Sequence, residues 1–284
     1  MIAIYGADRQ EEHLAQLGRF FESLAGPGLE ICVHTQFADY LLSVGIAAGG
    51  FRRVDSLPDD TRLVVSLGGD GTFLRASSWA GRDIPVMGIN TGHLGYLAAF
   101  SLDKPQEVEA ALRGDFDVSR RMTVELECDA LPAGFSPVAL NEISILKGDT
   151  TSMVSISARL DGYYLADYLA DGLLVATPTG STAYNLSCGG PILEPIVESI
   201  ILTPIAPHSL TLRPLVVGAA SRIELEVTTR GESCHIGVDG RTFAVPSGAR
   251  LLVRRGRYMV SVAQPRSANF AETLRRKLRW GARN

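Results

Sequence analysis

Leu63-Val64-Val65-Ser66-Leu67-Gly68-Gly69-Asp70-Gly71-Thr72-Phe73-Leu74-Arg75-Ala76 decides how the first part of this chain folds. The apolar run 63–67 reads as a strand buried on both faces, the kind found in a parallel sheet. Glycines then turn the chain, one carboxylate stands in the turn, and Thr72 to Ala76 opens a helix. In an open α/β sheet, ligands sit beyond the carboxyl ends of the strands. A glycine turn at that edge lets backbone N–H groups reach phosphate oxygens with no Cβ in the way. Asp70 then faces a phosphorylated ligand. A carboxylate beside phosphates is unfavourable unless it carries a metal ion or takes a proton from an attacking hydroxyl, so the turn suggests phosphoryl transfer. A Gly-Asp-Gly turn is also common scaffolding between strand and helix, and alone it leaves both readings open.

Outward from this stretch the elements alternate: strand 2–5, helix near 9–25, strand 29–33, helix near 36–47, strand 62–67, helix 72–80 and strand 84–89. Leu14, Leu17, Phe21 and Leu24 fall at spacings of three and four, one apolar stripe on the first helix. Strands alternating with helices predict a parallel, doubly wound sheet. Gly26, Gly28, Gly49 and Gly50 end helices or open turns and call for no functional explanation. Asn90-Thr91-Gly92-His93-Leu94-Gly95-Tyr96-Leu97 is a second glycine-punctuated loop at the same edge, and so a second wall of the pocket. His93 is given no role in it. A helix over 103–113, opened by Asp103 and Pro105, completes an α/β domain taken as 1–118.

Near Asp117 the period becomes twofold. Met122, Val124, Leu126 and Cys128 alternate with Thr123, Glu125 and Glu127, Val154, Ile156, Ala158 and Leu160 with Ser155, Ser157 and Arg159, and Ile223, Leu225 and Val227 with Glu224 and Glu226. Such strands are half-buried. With turns at Gly134, Gly148, Gly162, Gly231 and Gly240 they predict an antiparallel, sandwich-like β-rich domain over 119–262. The tail, 263–284, carries Phe270, Leu274 and Leu278 every four residues, with Arg275, Arg276, Lys277 and Arg279 between them. This amphipathic helix is expected to return to the first domain, and its basic residues read as a solvated face.

Composition narrows the classes. A chain of 284 residues buries about 75% of its unfolded surface without covalent staples. Cys32, Cys128, Cys188 and Cys234 show no CxxC spacing, which fits reduced thiols in a cytoplasmic protein better than a disulfide framework or a zinc site. The opening Met1-Ile2-Ala3-Ile4-Tyr5-Gly6 reads as a strand, and neither a signal peptide nor a membrane span is expected. Lys and Arg number 27 against 31 Asp and Glu, a net charge of -4, which offers no general attraction for nucleic acid or anionic lipid.

Two stretches of the β-rich domain hold residues that a plain sandwich does not need. Asn141-Glu142 opens a strand. A carboxylate accepts two hydrogen bonds from a ribose diol, and an adjacent amide reads a base edge or another hydroxyl, although an Asn-Glu pair is also ordinary strand-edge chemistry. Asp171 precedes the apolar strand Leu173 to Ala176, which runs into Thr177-Pro178-Thr179-Gly180-Ser181-Thr182-Ala183-Tyr184-Asn185-Leu186-Ser187. So many small donors and acceptors suit a ligand with several hydroxyls and an amide; the plain alternative is a Ser/Thr-capped helix start.

Taken in order, Gly68 to Leu74, Asn90 to Leu97, Asn141-Glu142 and Thr177 to Ser187 resemble the NAD kinase family, over about residues 60 to 245. The glycine turn is shared with diacylglycerol, sphingosine and phosphofructokinase-type kinases; Thr177 to Tyr184 is far more specific. The resemblance implies transfer of the ATP γ-phosphoryl group to the 2′-hydroxyl of the adenosine ribose of NAD. In it Asp70 is the proton acceptor, and Gly68, Gly69, Gly71 and Thr72 lie against the ligand. Arg75 matches a polar contact to phosphate, and Tyr96 stands where the family usually has Phe near the adenine. Asn141 and Glu142 hold ribose and adenine groups. Asp171 marks the nicotinamide end of a wall formed with Thr179, Thr182, Ala183, Tyr184, Asn185, Leu186 and Ser187. Arg241 replaces the Gln of many relatives, where it could pair with a phosphate.

Phosphoryl transfer depends mainly on positioning and charge stabilisation, and a carboxylate suffices as a late proton acceptor. The expected parts are Mg²⁺ on the ATP oxygens with no metal ligand assigned to the protein, loop amides on the phosphates, and Asp70 within about 3 Å of the hydroxyl. The sequence holds neither a GxxxxGK[ST] loop nor a protein-kinase catalytic loop. The rivals are a lipid kinase of the same superfamily, which the polar 177–187 cluster disfavours, and a non-catalytic NAD(P)(H) sensor, to which Asp70 adds little. The resemblance also implies a homodimer or homotetramer.

Overall fold

A computed structural model of the chain describes residues 1–8, 10–24, 28–46, 50–81, 83–91, 95–148 and 152–281. Gly26, Gly49, Gly92, His93 and Leu94 lie outside the described residues. Two compact units divide the chain, residues 1–120 with 260–284, and residues 121–259.

In the first unit one sheet runs in the order Arg52–Val54, Ile31–His34, Ile2–Gly6, Leu63–Leu67, Val86–Asn90, Val260–Gln264 and Asp117–Arg121, and Phe100–Ser101 also pairs with Val86–Asn90. Ile2–Gly6 lies parallel to both Ile31–His34 and Leu63–Leu67, and Leu63–Leu67 lies parallel to Val86–Asn90. Every residue of Leu63–Leu67 is buried, because helices cover both faces. Helix Leu14–Leu24 inserts Leu17, Phe20, Phe21 and Leu24 into the core, with Leu14 half-buried at its margin. Strand order reverses between Ile2–Gly6 and Leu63–Leu67, so the glycine turn leaves the sheet at a topological switch point.

Four strands of this sheet are missing from the sequence reading, the short Phe100–Ser101, Asp117–Arg121 and two more. Val260–Gln264, assigned there partly to the β-rich domain, pairs in parallel with Val86–Asn90, Val262 opposite Val86. Its first four residues are buried, yet Val260-Ser261-Val262 alternates in type as the antiparallel strands just before it do, so its sequence does not mark it as a strand of the parallel sheet. Arg52–Val54 is a three-residue edge strand with two exposed arginines, a composition that reads as loop.

The second unit holds two six-stranded sheets. One runs Leu215–Gly218, Ser199–Ile205, Gly172–Ala176, Glu142–Leu146, Ser233–Val238, Arg241–Pro246; the other runs Tyr163–Ala170, Val154–Leu160, Ile223–Thr228, Ala249–Arg255, Val124–Cys128, Val138–Ala139. Neighbouring strands are antiparallel. Ile143, Leu173, Val175, Leu202 and Ile236 of one sheet share a buried cluster with Leu126, Ile156, Leu225, Val227 and Val253 of the other, the core of a sandwich. Ile223, Leu225 and Val227 point inward while Glu224 and Glu226 point out, as alternation requires.

Helix Phe270–Leu278 belongs to the first unit and starts at Asn269, whose side chain accepts from the Glu272 N–H at 2.8 Å. No helix among the described residues is long and apolar enough to cross a membrane.

Candidate active site

At Gly68 the chain leaves its strand with φ +146°, and a Cβ there would stand 2.5 Å from Thr72 Oγ1, so only glycine makes this turn. Its N–H donates to the Ile89 carbonyl at 3.0 Å, tying the turn to the next strand. Gly69 and Gly71 are exposed, and a Cβ on either meets no atom within 4 Å; the space over the turn is open. Asp70 is the first residue of the 11-residue helix Asp70–Ala80, so its carboxylate sits at the positive end of the helix dipole. Arg75, exposed one turn further, donates to Thr72 Oγ1 at 3.4 Å and adds a full positive charge to that end.

The Asp70 carboxylate does not simply face outward. Its Oδ2 accepts from the Tyr96 N–H at 2.6 Å, and its Oδ1 from the Leu97 and Ala98 N–H groups at 2.9 and 3.1 Å. Gly95 admits this approach, since a Cβ there would overlap the carboxylate. The two glycine loops of the first unit therefore meet through Asp70. Beside it, the Lys277 ammonium lies 4.6 Å from the centroid of the Tyr96 ring. The Tyr96 hydroxyl is buried without a hydrogen-bond partner, and burial, then the Asp70 charge, hold it above the usual phenol range.

In the second unit Asp239 builds the presenting turn. Its carboxylate accepts from the Leu140 and Asn141 N–H groups at 2.8 Å each and from the Glu142 N–H at 3.2 Å. Glu142 begins its strand opposite Ala176, while Thr177 holds the adjoining end, its N–H donating to the Asn141 carbonyl at 2.8 Å and its hydroxyl to the Leu140 carbonyl at 2.5 Å. Glu142 Oε2 and Thr179 Oγ1 are buried with no partner, which fits residues awaiting a polar ligand. Burial, then the Asp239 charge, pushes the Glu142 carboxyl up to about 8, and burial pushes Asp239 up to about 6.

Asp171 pairs with Lys147 at 2.7 Å. The Tyr184 hydroxyl, raised first by burial and then by Cys188, also feels the Asp171 and Glu142 charges, so these groups converge. Tyr184 and Ser187 are exposed; Thr182, Ala183 and Leu186 are half-buried. Asn185 is fully buried: it donates to the Ser181 and Pro191 carbonyls at 3.0 and 3.1 Å and accepts from the Thr203 hydroxyl at 2.6 Å. Both amide hydrogens are committed to holding the turn.

A model of the ATP-NAD kinase N-terminal domain matches residues 52–116, and one of the ATP-NAD kinase C-terminal domain matches residues 140–264. The NAD kinase of Bacteroides fragilis is 41% identical over 99% of this chain and 98% of its own, and that of Porphyromonas gingivalis 42% over the same shares. The chain belongs to the NAD kinase family. Among solved structures, an NAD kinase from Archaeoglobus fulgidus in complex with ATP superposes with a TM-score of 0.71 at 27% identity, over 94% of each chain. Yeast NADH kinase complexed with NADH shares the fold, with a TM-score of 0.86 at 24% identity, over 100% of this chain and 88% of that one.

Three residues of this NAD kinase family member are missing from the sequence reading of its site. Gln10, 4% exposed, donates to the Ala7 and Leu67 carbonyls at 2.9 and 3.3 Å and accepts from the Thr91 hydroxyl at 2.6 Å, joining three loops at the switch point. Nothing in the sequence near residue 10 signals this. Asp239 had a signal, a Val-Asp-Gly-Arg turn, but its partners lie about a hundred residues away. Lys277 was read with its neighbours as a solvated face; Arg275, Arg276 and Arg279 are exposed, whereas Lys277 is half-buried. Arg241, considered for a phosphate, stacks 4.9 Å from the Phe135 ring centroid and donates to the Ser136 carbonyl at 3.3 Å.

The raised Glu142 carboxyl makes stability depend on pH. The folded protein keeps a proton that the unfolded chain releases above about pH 4.5, so this contribution is complete below 4.5, declines as pH rises and is lost above about 8. Glu142→Gln cannot ionise. Its melting temperature relative to wild type is expected to rise from pH 6 to about pH 8 and then level off in thermal scans; a constant difference from pH 6 to pH 9 counts against a buried, protonated Glu142.

Proposed function

We infer that the chain phosphorylates NAD: the 2′-hydroxyl oxygen of the adenosine ribose attacks the γ-phosphorus of ATP, the bond to ADP breaks, and the hydroxyl proton passes to Asp70. What carries this reading is the Asp70 carboxylate, fixed by three amides beside an open glycine turn. Oδ1 already accepts two of those hydrogen bonds and Oδ2 only one, so the remaining lone pair of Oδ2 is the acceptor for the proton. Fixing the base before the reaction removes the cost of orienting it.

In the same reading the amides around Gly69 and Gly71, with Thr72 and Arg75, meet the phosphates at the helix end. Asn141 and Glu142 take ribose and adenine groups, the unpartnered Thr179 hydroxyl receives a ligand hydrogen bond, and Asp171, Thr182, Ala183, Tyr184, Leu186 and Ser187 line the dinucleotide. Asn185 acts through the turn it holds. Mg²⁺ bound to the ATP phosphates would neutralise part of their charge.

Free cysteines support a reducing cytoplasmic setting. Exposed Tyr163, Tyr164 and Leu169 on one strand of the second unit support a homodimer or homotetramer joined through its sheets.

The test is NADP formation from NAD and Mg-ATP by the purified protein, read with an NADP-specific dehydrogenase. Steady turnover is the expected result. NAD binding without NADP, with ATP or polyphosphate as donor, would favour the sensor, and failure to bind NAD would send the search to lipid acceptors.

A further inference from the structure

The C-terminal helix puts one cation where a solvated basic face has no reason to put it. Lys277 is half-buried, its ammonium stands over the Tyr96 ring, and it forms no ion pair among the described residues. The Tyr96 backbone N–H is itself bound to Asp70 Oδ2 at 2.6 Å. Ammonium, ring and carboxylate are thus gathered around the short loop 95–98, at the edge of the sheet where the glycine turn opens. A partly desolvated ammonium with three donors and no anion bonded to it is an incomplete ion site. A ring face holds the cation in place without neutralising it.

We propose that Lys277 is a phosphate-binding residue of the donor site, its ammonium contacting the phosphates of ATP from above Tyr96, so that the C-terminal helix completes the site. This rests on the kinase reading above. The triphosphate supplies the anionic partner that the ammonium lacks, and the Tyr96 ring limits its movement. The charged groups that act on it are Asp70, which favours the ammonium, and Arg276 on its own helix, which opposes it; Tyr96 packs against it in neutral form. Burial is the largest influence and lowers the ammonium to about 8, so its charge is lost as pH rises through that value.

The experiment compares wild type, Lys277→Met, which keeps the apolar stem, and Lys277→Arg, which keeps the charge at every working pH. Affinity for a non-hydrolysable ATP analogue with Mg²⁺, affinity for NAD, and kcat/KM for ATP from pH 6.5 to 9.5 are measured. Lys277→Met is expected to lose roughly 10- to 100-fold in analogue affinity and in kcat/KM for ATP while NAD affinity stays within about twofold. Wild-type kcat/KM for ATP is expected to fall above pH 8, and that fall to be absent in Lys277→Arg.

Unchanged analogue affinity in a folded Lys277→Met overturns the proposal. So does equal loss of ATP and NAD affinity together with a lowered melting temperature, which marks Lys277 as an anchor of the helix only. An alkaline fall missing from wild type, or persisting unchanged in Lys277→Arg, also overturns it. If Lys277→Met does not fold, the pH profile of Lys277→Arg decides. If wild type forms no NADP, the kinase reading fails while the analogue measurement still judges Lys277.

Discussion

Asp70→Asn is expected to lower kcat roughly 10³-fold or more while NAD affinity stays within about threefold. The amide has the shape of the carboxylate but is no proton acceptor at the attacking hydroxyl, so chemistry loses its base. It also disturbs the loop that fixes the base. An Asn oxygen can still accept from Leu97 and Ala98, but its NH₂ group then opposes the Tyr96 N–H, donor against donor. That lost hydrogen bond costs about 1–3 kcal/mol, too little to unfold a protein of this size, so a folded, inactive variant is the outcome to look for. NAD binding is spared because Asn141, Glu142 and the 177–187 turn are held by Asp239 and Thr177 within their own unit. Circular dichroism, NAD titration and the coupled NADP assay check the three parts separately. A folded variant retaining more than a tenth of wild-type kcat would reduce Asp70 to a loop anchor.

Gly180→Ala carries the second large effect, and it acts through backbone alone. A Cβ at position 180 would overlap the Asn141 carbonyl oxygen and stand 2.6 Å from its carbon and 2.8 Å from Asn141 Cα. No side-chain rotation relieves a collision with main chain. The two segments cannot drift apart either, because the Gly180 N–H donates to the Thr177 hydroxyl at 3.1 Å and Thr177 in turn holds Leu140 and Asn141. The expected cost is about 3 kcal/mol, which lowers Tm by roughly 6–12 °C. Since the strain falls on the turn presenting Asn141 and Glu142, KM for NAD is expected to rise about tenfold or more with a smaller change in kcat. Thermal unfolding and substrate titration give both numbers, and wild-type values for Tm and KM would mean that this contact yields more easily than its geometry implies.

Much of the fold was legible because periodicity reports burial directly. Leu63 to Leu67 lacks alternation because both faces are covered, and Ile223 to Val227 alternates because one face is. Where burial and period separate, legibility ended. Val260-Ser261-Val262 alternates in type although all three residues are buried, its partner Val86–Asn90 is some 170 residues earlier, and only the folded chain says which sheet receives it.

The sequence by itself determined the two-unit α/β and β-sandwich plan, the glycine turn at a sheet edge with its one carboxylate, and the polar stretches at 141–142 and 177–187, since residue type and short-range spacing are enough for these. Only the tertiary structure decided what each polar group is free to do. It put the Tyr96, Leu97 and Ala98 amides on Asp70, spent the Asn185 amide inside its own turn, raised Glu142 beside Asp239, and withdrew Lys277 from solvent onto Tyr96. The reason is physical: a hydrogen bond or a desolvated charge depends on atoms brought together from distant parts of the chain, and local pattern carries no record of those partners.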